Sequence, residues 1–563
     1  MFKVHQNHSQ QDWSKNMVKS DRLTFMIVPA LFIAMTVWTG CIAGPKDKVE
    51  VVCHYMTWFK FRENANSKIE ISHWKWDGPH ANHDPLKIYN GKMRDIYSRF
   101  YPRIGVYDSG DPLVQDYHIL SAKAAGISTL IIDWYNPGAP GDVAFRSLLT
   151  RCEKLNMKAA ICYEEKTCFP DWNKVDTRAQ AVDKAVKDFK YLNEYFKRDG
   201  YWKKNGKPVI LVFGGWGNWA HGEKLFTSEE WGKITSDSKT DGWIVLQNFK
   251  DNYPNIKAGF AWLGNASYTK WFYRTGDVRL KEKKMDFYIG SVCPGFDDRG
   301  VWGWNNKPRF EAYLGLENFN RYLTDFDNSN CDTIQVVTWN DFAEGTMIEP
   351  TVQFGNLYLN RLGEWSAAKS GHKFSSSNTL LPYKWFYLAK SLGAGNAEVI
   401  KIKELLAVDK YPEAAAMVDA LAGKHNITIP PYISYDEEFK PFKTVEDTWH
   451  SDGYLRPDAD GSFTLVKRNY GAIDENRHRK LDEDLTIEIK SLSPGARYTV
   501  QLLMFDKEHK FIGSLDLHKS AKSGIIKVDF SGLKSKIKAG TTETAVKIWL
   551  EGPEGVKINP DIR

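Results

Sequence analysis

The sequence predicts an α/β protein, a (β/α)8 TIM barrel followed by a C-terminal antiparallel β-sandwich domain. Between residues 49 and 392, eight short apolar runs alternate with helical stretches, and several runs end in a polar or aromatic loop. That alternation is typical of a parallel barrel, whose strands are buried beneath covering helices. From residue 430 onward, runs with period-two alternation are separated by Gly, Pro, Ser and Asp clusters, as in a sandwich.

The predicted barrel strands are short, apolar and bounded by turn-forming residues. A helix with apolar residues at helical spacing from Leu113 stops at Gly126, since glycine is the residue type that most often follows a helix end. In chain order the predicted strands cover residues 49–56, 127–133, 158–163, 209–213, 243–247, 258–262, 286–292 and 333–338.

The C-terminal third of the chain is expected to hold a connector and the sandwich. A helix over residues 381–392 closes the predicted barrel, residues 393–429 are a helical connector, and the sandwich covers 430–563. Its loops hold few Trp side chains, so we favour structural support over carbohydrate binding, which uses aromatic stacking. The sandwich strands are predicted at residues 463–466, 485–489, 498–503, 525–530 and 545–550.

Residues 1–41 have the layout of an export signal. Lys19 and Arg22 precede an apolar run over residues 25–38, which is too short to span a membrane and ends before Gly40-Cys41. This ending resembles a bacterial lipobox, which implies lipidation of Cys41 and a linker over residues 42–48. We therefore expect an exported, cell-envelope lipoprotein that meets the membrane only through its lipid anchor. Translation can begin at Met1 or at Met17.

The composition excludes several classes of partner. The net charge of +6 comes from 76 basic and 70 acidic residues that are well mixed, so no nucleic-acid partner is predicted. The six cysteines beyond Cys41 show no metal-ligand spacing, so we predict no metal site and no cofactor. Buried free thiols are expected, with one disulfide involving Cys168 as the alternative. Many of the 21 Trp residues lie in loops, where their flat faces suit sugar rings.

The loop after the last predicted barrel strand carries the candidate chemistry. Asp341 and Glu344 lie three residues apart, and Glu349 follows. The alternative is a capping box, because Asp-x-x-Glu often starts a helix. Gly345 and Pro350 would end such a helix almost at once, so we predict an irregular acidic loop. Barrel enzymes place their catalytic groups at this end of the strands.

The segment from Trp339 to Pro350 resembles the Trp-Asn-Glu-Trp-x-Glu-Gly-Thr-x-Ile-Glu-Pro signature of glycoside hydrolase family 99, the endo-α-mannosidase and endo-α-mannanase family. Shorter matches occur in the same order over most of residues 51–350. Asp341 departs from that signature, which has Glu there. Asp341-Phe342 is similar to the Trp-Asn-Asp-Tyr-x-Glu-Ser motif of family 71, the related α-1,3-glucanases.

The resemblance implies an exported glycoside hydrolase that cleaves an α-linked glycan, such as an α-mannan, with two carboxylates. Glu344 is the predicted general acid/base and Asp341 the second carboxylate. By resemblance to family 99, Asp341 would deprotonate the 2-hydroxyl of the sugar and give retention. If the longer Glu is essential to that route, Asp341 would instead activate water and give inversion.

The ends of the other predicted strands supply substrate-binding candidates. Carboxylates at such strand ends have little structural purpose, whereas rim packing is the alternative for each aromatic residue. Glu349 is predicted chiefly as a supporting residue, and His118, on a helix, as a structural one. The substrate-binding candidates are Tyr55, Trp58, Asp133, Trp134, Glu164, Trp216, Trp302, Asn340 and Glu349.

Three other functions fit parts of the pattern. The first is a non-catalytic glycan-binding lipoprotein on the same barrel, and the second is an α-1,3-glucanase-like enzyme. The third is a glycosyltransferase, which export disfavours because activated sugar donors are cytoplasmic. Retention of both carboxylates favours the hydrolase.

Overall fold

The structure is a computed structural model that describes most of the chain beyond residue 48. The predicted export signal (1–41), Cys41 and the linker (42–48) lie outside the described residues. The described range is 49–563 without residues 64–65, 76, 79–80, 90–92, 99, 170–177, 215–224, 265, 302–309, 312–315, 371–373, 431–453, 458–461, 467–469, 475–478, 482, 508–510 and 554.

Eight parallel strands close into a barrel, which confirms the predicted fold class. Each strand pairs with the next along the chain, and the last pairs with the first through Val51 opposite Ile334. The predicted strands agree with the observed ones to within a few residues at each end. The barrel strands are β1 Glu50–Tyr55, β2 Thr129–Trp134, β3 Lys158–Glu164, β4 Lys207–Phe213, β5 Trp243–Gln247, β6 Ala258–Phe260, β7 Phe287–Val292 and β8 Thr333–Val336.

Helices follow the strands, and local sequence explains where they begin and end. The Asp111 side chain accepts the backbone N–H of Leu113 at the start of the helix Pro112–Ala124, and Gly126 ends that region with a φ of 82°. Thr227 and Glu230 form a capping box at the start of the helix Ser228–Ser238. The helices are α1 Pro112–Ala124, α2 Pro140–Lys154, α3 Arg178–Phe196, α4 Ser228–Ser238, α5 Ala266–Lys281, α6 Glu317–Asp327, α7 Leu357–Ser370 and α8 Ser376–Leu392.

The strand register decides which side chains face the barrel interior. His54 on β1 aligns with Ile131 on β2, and Asp133 aligns with Cys162 on β3. Because aligned residues share a face and alternate residues do too, His54 and Asp133 point the same way. Their chain neighbours Tyr55 and Trp134 point oppositely, toward α1 and α2.

Two further helices, α9 Ala397–Ala407 and α10 Tyr411–Lys424, pack onto the barrel. Ile402 and Leu421 belong to the same hydrophobic core as the barrel strands. Lys403 on α9 also forms an ion pair with Asp116 on α1, with 3.0 Å between Nζ and Oδ2. The region predicted as a connector therefore shares the barrel's core. Between its helices, Asp409 has a φ of 60°, which a continuous helix cannot contain.

The C-terminal part folds as two antiparallel five-stranded sheets with their own hydrophobic core, centred on Val500, Leu502 and Ile548. The strands are β9 Tyr454–Pro457, β10 Phe463–Val466, β11 Tyr470–Asp474, β12 Arg479–Lys480, β13 Leu485–Leu492, β14 Arg497–Phe505, β15 Phe511–Ser520, β16 Gly524–Val528, β17 Glu543–Glu551 and β18 Lys557–Ile562. One sheet has the order β9-β10-β18-β13-β16, and the other has the order β11-β17-β14-β15, with β12 also paired to β17. A short helix, α11 Phe530–Leu533, follows β16.

Short strands and turns decorate the loops of the barrel. Within the described ranges, no helix has both the length and the hydropathy needed to cross a membrane. The six cysteines between Cys53 and Cys331 are buried free thiols, so Cys168 forms no disulfide. The short elements are Lys60–Glu63 with Ile69–Ser72, Asp77–Gly78 with Ala81–Asn82, Ile88–Tyr89 with Met93–Arg94, Phe296–Asp297 with Phe310–Glu311, Lys203–Lys204 on β4, and 3-10 turns Glu165–Cys168 and Arg299–Val301.

Replacing Ile402 with Ala should destabilise the barrel, because Ile402 is fully buried on α9. Truncating such a side chain in a core costs about 2–5 kcal/mol. Ile400 on the same helix is 36% exposed, so Ile400→Ala is a matched control that should cost much less. Denaturant unfolding measures both, and equal losses would contradict the packing of α9 against the barrel.

Candidate active site

The loop after β8 closes on itself through hydrogen bonds between its two ends. The backbone N–H of Thr338 donates to the carbonyl of Thr346 over 2.8 Å, and their hydroxyls lie 3.0 Å apart. The Thr338 hydroxyl also accepts the backbone N–H of Asp341. Two threonines eight residues apart thus close the loop, and the residues between them, which include Asp341 and Glu344, are held at the end of the strand.

Asp341 caps a single turn and does not start a helix. Its Oδ1 accepts the backbone N–H groups of Ala343 and Glu344 at 3.0 and 3.1 Å, while Gly345 turns the chain with a φ of 66°. Asp341 is 3% exposed, and Oδ2 accepts no hydrogen bond from the described residues. The structure contains the irregular loop expected from Gly345 and Pro350. The Asp341 side chain nevertheless accepts backbone N–H groups, as a helix-capping residue does.

The electrostatics of Asp341 favour its protonated form. Burial raises the pKa of Asp341 well above the usual value, and the nearby charges of Glu344 and Asp133 raise it further. The two backbone N–H donors oppose this shift without cancelling it. Glu344, its partner in the loop, is only partly buried. The two carboxyls thus differ in environment, as an acid and a base in one site must.

Asn340 fixes this loop against the first strand of the barrel. Its amide pairs with both backbone groups of Met56: Oδ1 accepts the N–H over 2.7 Å, and Nδ2 donates to the carbonyl over 3.0 Å. Nδ2 also donates to the Tyr107 hydroxyl. Asn340 is fully buried, so its contacts position the neighbouring Asp341 and leave it no surface for a ligand.

Glu349 lies at the centre of a buried network behind the loop. Tyr107 donates its hydroxyl hydrogen to Oε2 over 2.7 Å, and His118 Nε2 lies 3.3 Å from Oε1. His118 Nδ1 lies 2.9 Å from the Tyr55 hydroxyl. Glu349 and Tyr55 are both buried within this network, behind the loop that carries Asp341. The supporting role expected of Glu349 and the structural role expected of His118 stay predictions.

A second pair of acidic side chains, Asp133 and Glu164, lies at the ends of β2 and β3. Asp133 Oδ1 lies 2.7 Å from His54 Nε2, and Glu164 is 3.0 Å from the Lys166 ammonium group. Burial raises the pKa of Glu164 to about 7, with Asp133 adding to the rise and Lys166 opposing it. Asp133 thus interacts electrostatically with both Glu164 and Asp341, so these acidic side chains lie close to the loop after β8.

His54, Asp133 and Cys162 form the group with metal-ligating atoms in the described part of the chain, and those atoms lie within 4.8 Å of one another. The group fits a metal poorly. The 2.7 Å separation in the His54–Asp133 pair is a hydrogen-bond distance, shorter than the roughly 3.3 Å between two ligands of one tetrahedral zinc. Ligation through Nε2 would also place a hydrogen on Nδ1, which has no acceptor among the described residues.

Aromatic side chains anchor the loop and line its surroundings. Phe342 packs against Phe59 and Trp74, with ring centroids 6.0 and 5.5 Å away. Trp58 stacks on His73 at 5.0 Å, and its Nε1 has no partner in the described ranges. The buried Tyr97 hydroxyl is likewise unpartnered there, and both burial and the charge of Asp341 raise its pKa.

The structure brings some predicted site residues together and separates others. The carboxylates of Asp341, Glu344, Asp133 and Glu164 share one region. Tyr55 and Trp134, expected to touch substrate, are fully buried on the helix-facing side of their strands. Trp134 donates to Asp142 on α2 over 2.9 Å, so period-two alternation turns it away from the interior. Trp216 and Trp302 lie outside the described residues.

Sequence reasoning missed His54, Tyr107 as a partner of Glu349, Lys166 and Tyr97 as parts of the site. Strand alternation could have pointed to His54. His54 aligns with Ile131, two residues before Asp133, so His54 faces inward if Asp133 does. No local signal marks Tyr107 or Tyr97. Glu349, which accepts from Tyr107, and Asp341, whose charge acts on Tyr97, both lie more than two hundred residues away in the chain.

The match of this chain to a protein-family model establishes the family to which it belongs. The glycosyl hydrolase family 99 model matches residues 48–355, more than half of the 563 residues. The chain belongs to glycosyl hydrolase family 99. This family is enzymatic, and the chain is a glycoside hydrolase. Acidic side chains from the loop after β8 and from the ends of β2 and β3 lie together at one end of its barrel.

Curated relatives and solved structures carry names of the same family. The family 99 chain is 23% identical over 385 residues to the glycoprotein endo-alpha-1,2-mannosidase of Xenopus laevis, over 58% of this chain and 82% of that protein. It is 24% identical over 324 residues to the enzyme of the same name from Rattus norvegicus, over 53% and 67%. The GH99 endo-alpha-mannosidase structure from Bacteroides thetaiotaomicron is 20% identical, with a TM-score of 0.45, over 58% of this chain and 99% of that one.

Replacing Asp341 with Asn should stabilise the enzyme increasingly as pH rises. The folded state holds the Asp341 proton to a higher pH than the unfolded state, so ionisation above the unfolded pKa costs folding free energy. An amide avoids that cost and can still accept the two backbone N–H groups. The stability difference should grow with pH by at most about 1.4 kcal/mol per unit. Urea unfolding at about pH 5 and about pH 8 measures it, and a constant difference would contradict the raised pKa.

Proposed function

We propose that this family 99 enzyme hydrolyses an α-mannosidic bond within a glycan chain, such as an α-mannan or a related polysaccharide. The observation that carries the proposal is the pair of carboxyl side chains, Asp341 and Glu344, that the loop after β8 holds close enough to interact electrostatically. Hydrolysis of a glycosidic bond needs one group that donates a proton and one carboxylate that accepts one.

Glu344 is the proposed general acid/base. When the bond between C1 and the leaving oxygen breaks, its electron pair stays on that oxygen, which takes the proton of Glu344. Asp341 is the proposed second carboxylate. Burial and the charge of Glu344 favour a protonated Asp341 in the free site, so in the reacting complex the proton that the two carboxyls share must lie on Glu344. The ionised Asp341 then accepts a proton from the attacking hydroxyl. If that hydroxyl is the 2-hydroxyl of the sugar, the product keeps its configuration after water opens the intermediate, and if it is water, the configuration inverts.

The sugar assignment draws support from the relatives, whose names specify an α-1,2-mannosidic bond. Asp341 is the observation that favours a second candidate, an α-1,3-glucan, because the Asp-Phe pair resembles family 71. In the described part of the site, the carboxylates of Asp133, Glu164 and Asp341 outnumber the one cation that contacts them, Lys166. This excess of negative charge favours a neutral glycan over an anionic one.

The test is the release of reducing ends from a panel of α-mannans and α-glucans. Glu344→Gln and Asp341→Asn should each lower turnover by about 10²–10⁴-fold, the usual worth of acid/base assistance. Glu364, whose side chain is 58% exposed on α7, provides a matched control, and Glu364→Gln should retain full activity. The configuration of the first product, read by NMR, distinguishes retention from inversion.

Release from α-1,3-glucan but not from α-mannan would replace the proposed substrate. Full turnover by Glu344→Gln would remove that residue from the mechanism. Tight binding to one glycan without release from any would favour the binding lipoprotein over the hydrolase, while the family assignment would stand.

We also propose that the chain is exported and anchored by a lipid on Cys41, from the signal-like residues 1–41. Cys41→Ser should move the mature protein from the membrane fraction to the soluble fraction of the cell envelope. Fractionation after expression in a Gram-negative host, with incorporation of labelled palmitate, measures this. The same distribution for both proteins would contradict the anchor, and retention of both in the cytoplasm would contradict export.

A further inference from the structure

His54 is a buried side chain that the two-carboxylate chemistry leaves without a role. It lies on β1, faces the barrel interior and is fully buried. Its Nε2 is 2.7 Å from Asp133 Oδ1, and its ring meets the edge of Trp262 with centroids 4.8 Å apart. A polar group buried to this degree needs a partner, and Asp133 is the one that the described structure supplies.

The partners of its two nitrogens fix how His54 acts. Nδ1 has no hydrogen-bond partner among the described residues, so a hydrogen on Nδ1 would be buried and unmatched. A neutral ring therefore carries its hydrogen on Nε2 and donates it to Oδ1 of Asp133. That bond leaves the second oxygen of Asp133 in a fixed direction.

Asp133 has one oxygen available for a ligand. Oδ1 is taken by His54, whereas Oδ2 makes no hydrogen bond to the described residues, and the side chain is 11% exposed. Asp133 follows Ile132 at the end of β2, the face of a barrel where substrates bind. Its charge also acts on both Asp341 and Glu164, so it lies beside the reacting pair.

We propose that His54 is a positioning residue that orients Asp133, so that Oδ2 accepts a hydrogen bond from a hydroxyl group of the sugar whose glycosidic bond is cleaved. This inference rests on the proposed function. The sugar hydroxyl donates, the Asp133 carboxylate accepts, and no covalent bond changes. A fixed carboxylate gains more from such a bond than a rotating one, because its orientation is settled before the substrate arrives.

The pair therefore determines specificity. A site built to accept a sugar hydroxyl rejects an analogue that lacks it, since the carboxylate then stays buried without its partner. One deoxy position of the substrate should be disfavoured strongly, and that preference should depend on both His54 and Asp133.

The experiment compares His54→Gln, His54→Leu and Asp133→Asn on an α-1,2-linked manno-oligosaccharide and on its 2-, 3-, 4- and 6-deoxy analogues at the cleaved sugar. The amide of Gln can donate from about the position of Nε2, so His54→Gln should keep kcat/KM within several-fold of the wild type. His54→Leu has no donor and should lower it by about 10–10²-fold, the usual worth of a hydrogen bond to a charged group. Thermal unfolding checks that each variant is folded.

The decisive readout is the ratio of kcat/KM for the parent sugar to that for the most disfavoured analogue. The wild type and His54→Gln should share a large ratio, whereas His54→Leu and Asp133→Asn should bring it toward one. A general loss of stability would lower activity on every sugar alike and leave the ratio unchanged, so an unchanged ratio in His54→Leu would overturn the inference.

Equilibrium binding of the same sugars to each variant in a Glu344→Gln background separates this inference from the proposed function. If no sugar is cleaved but binding shows the expected loss of discrimination, the proposed reaction fails and the role of His54 stands. Cleavage with the same ratio in every variant would overturn the role of His54 alone. Neither cleavage nor binding of any mannosyl sugar would overturn both.

Discussion

The Asn340 amide joins the end of the last barrel strand, β8, to the end of the first, β1, and the candidate site depends on that contact. A parallel barrel closes only where its last strand meets its first. Here the ladder of β8 with β1 ends at Cys53, and the backbone N–H of Trp339 still donates to the carbonyl of His54 over 2.7 Å. Asn340 continues the contact one step further by satisfying both backbone groups of Met56. The position of the loop that carries Asp341 and Glu344 therefore depends on the contact between β8 and β1. A shift of one strand relative to the other would move both carboxyls.

Polar groups in the site are held at a cost to folding. Asp341 and Glu164 are buried close to Asp133, an arrangement that raises the pKa of both and that an apolar core would avoid. Neighbouring contacts offset part of the cost, through backbone N–H groups at Asp341 and the Lys166 ammonium at Glu164. A buried carboxyl group that costs folding free energy is typical of a functional site, and Asp341 has that character.

The fold could be predicted from the sequence because burial leaves a clear pattern. All eight barrel strands were recognisable, since strands covered on both faces read as continuous apolar runs. Residues 393–429 were harder, because an amphipathic helix looks the same whether it links two domains or joins a core, and only contacts such as that of Lys403 with Asp116 distinguish the two. Strand β15, Phe511–Ser520, was missed because its apolar residues are interrupted by polar ones and it is only partly buried along its length.

The position of a candidate side chain could be predicted where motif and strand end coincide, as for Asp341, Glu344, Asp133 and Glu164, and their roles stay predictions. The direction of a side chain at a strand end could not be predicted in the same way. Tyr55 and Trp134 stand at the right strand ends, yet each is one residue out of phase with the interior. Tyr107 and His118 could not be assigned to Glu349 at all, because that network joins a loop, a helix and the end of the barrel.

The turn capped by Asp341 ties the length of one side chain to the shape of its own loop. Asp places Oδ1 within reach of the amides of Ala343 and Glu344, whereas a Glu side chain would carry its oxygens one methylene past them. An exchange between Asp and Glu at this position therefore changes the backbone conformation of the loop as well as the distance that the carboxylate extends from it. An evolutionary path between the two would have to pass through chains with a loosened loop, or first acquire another closure such as the Thr338–Thr346 pair.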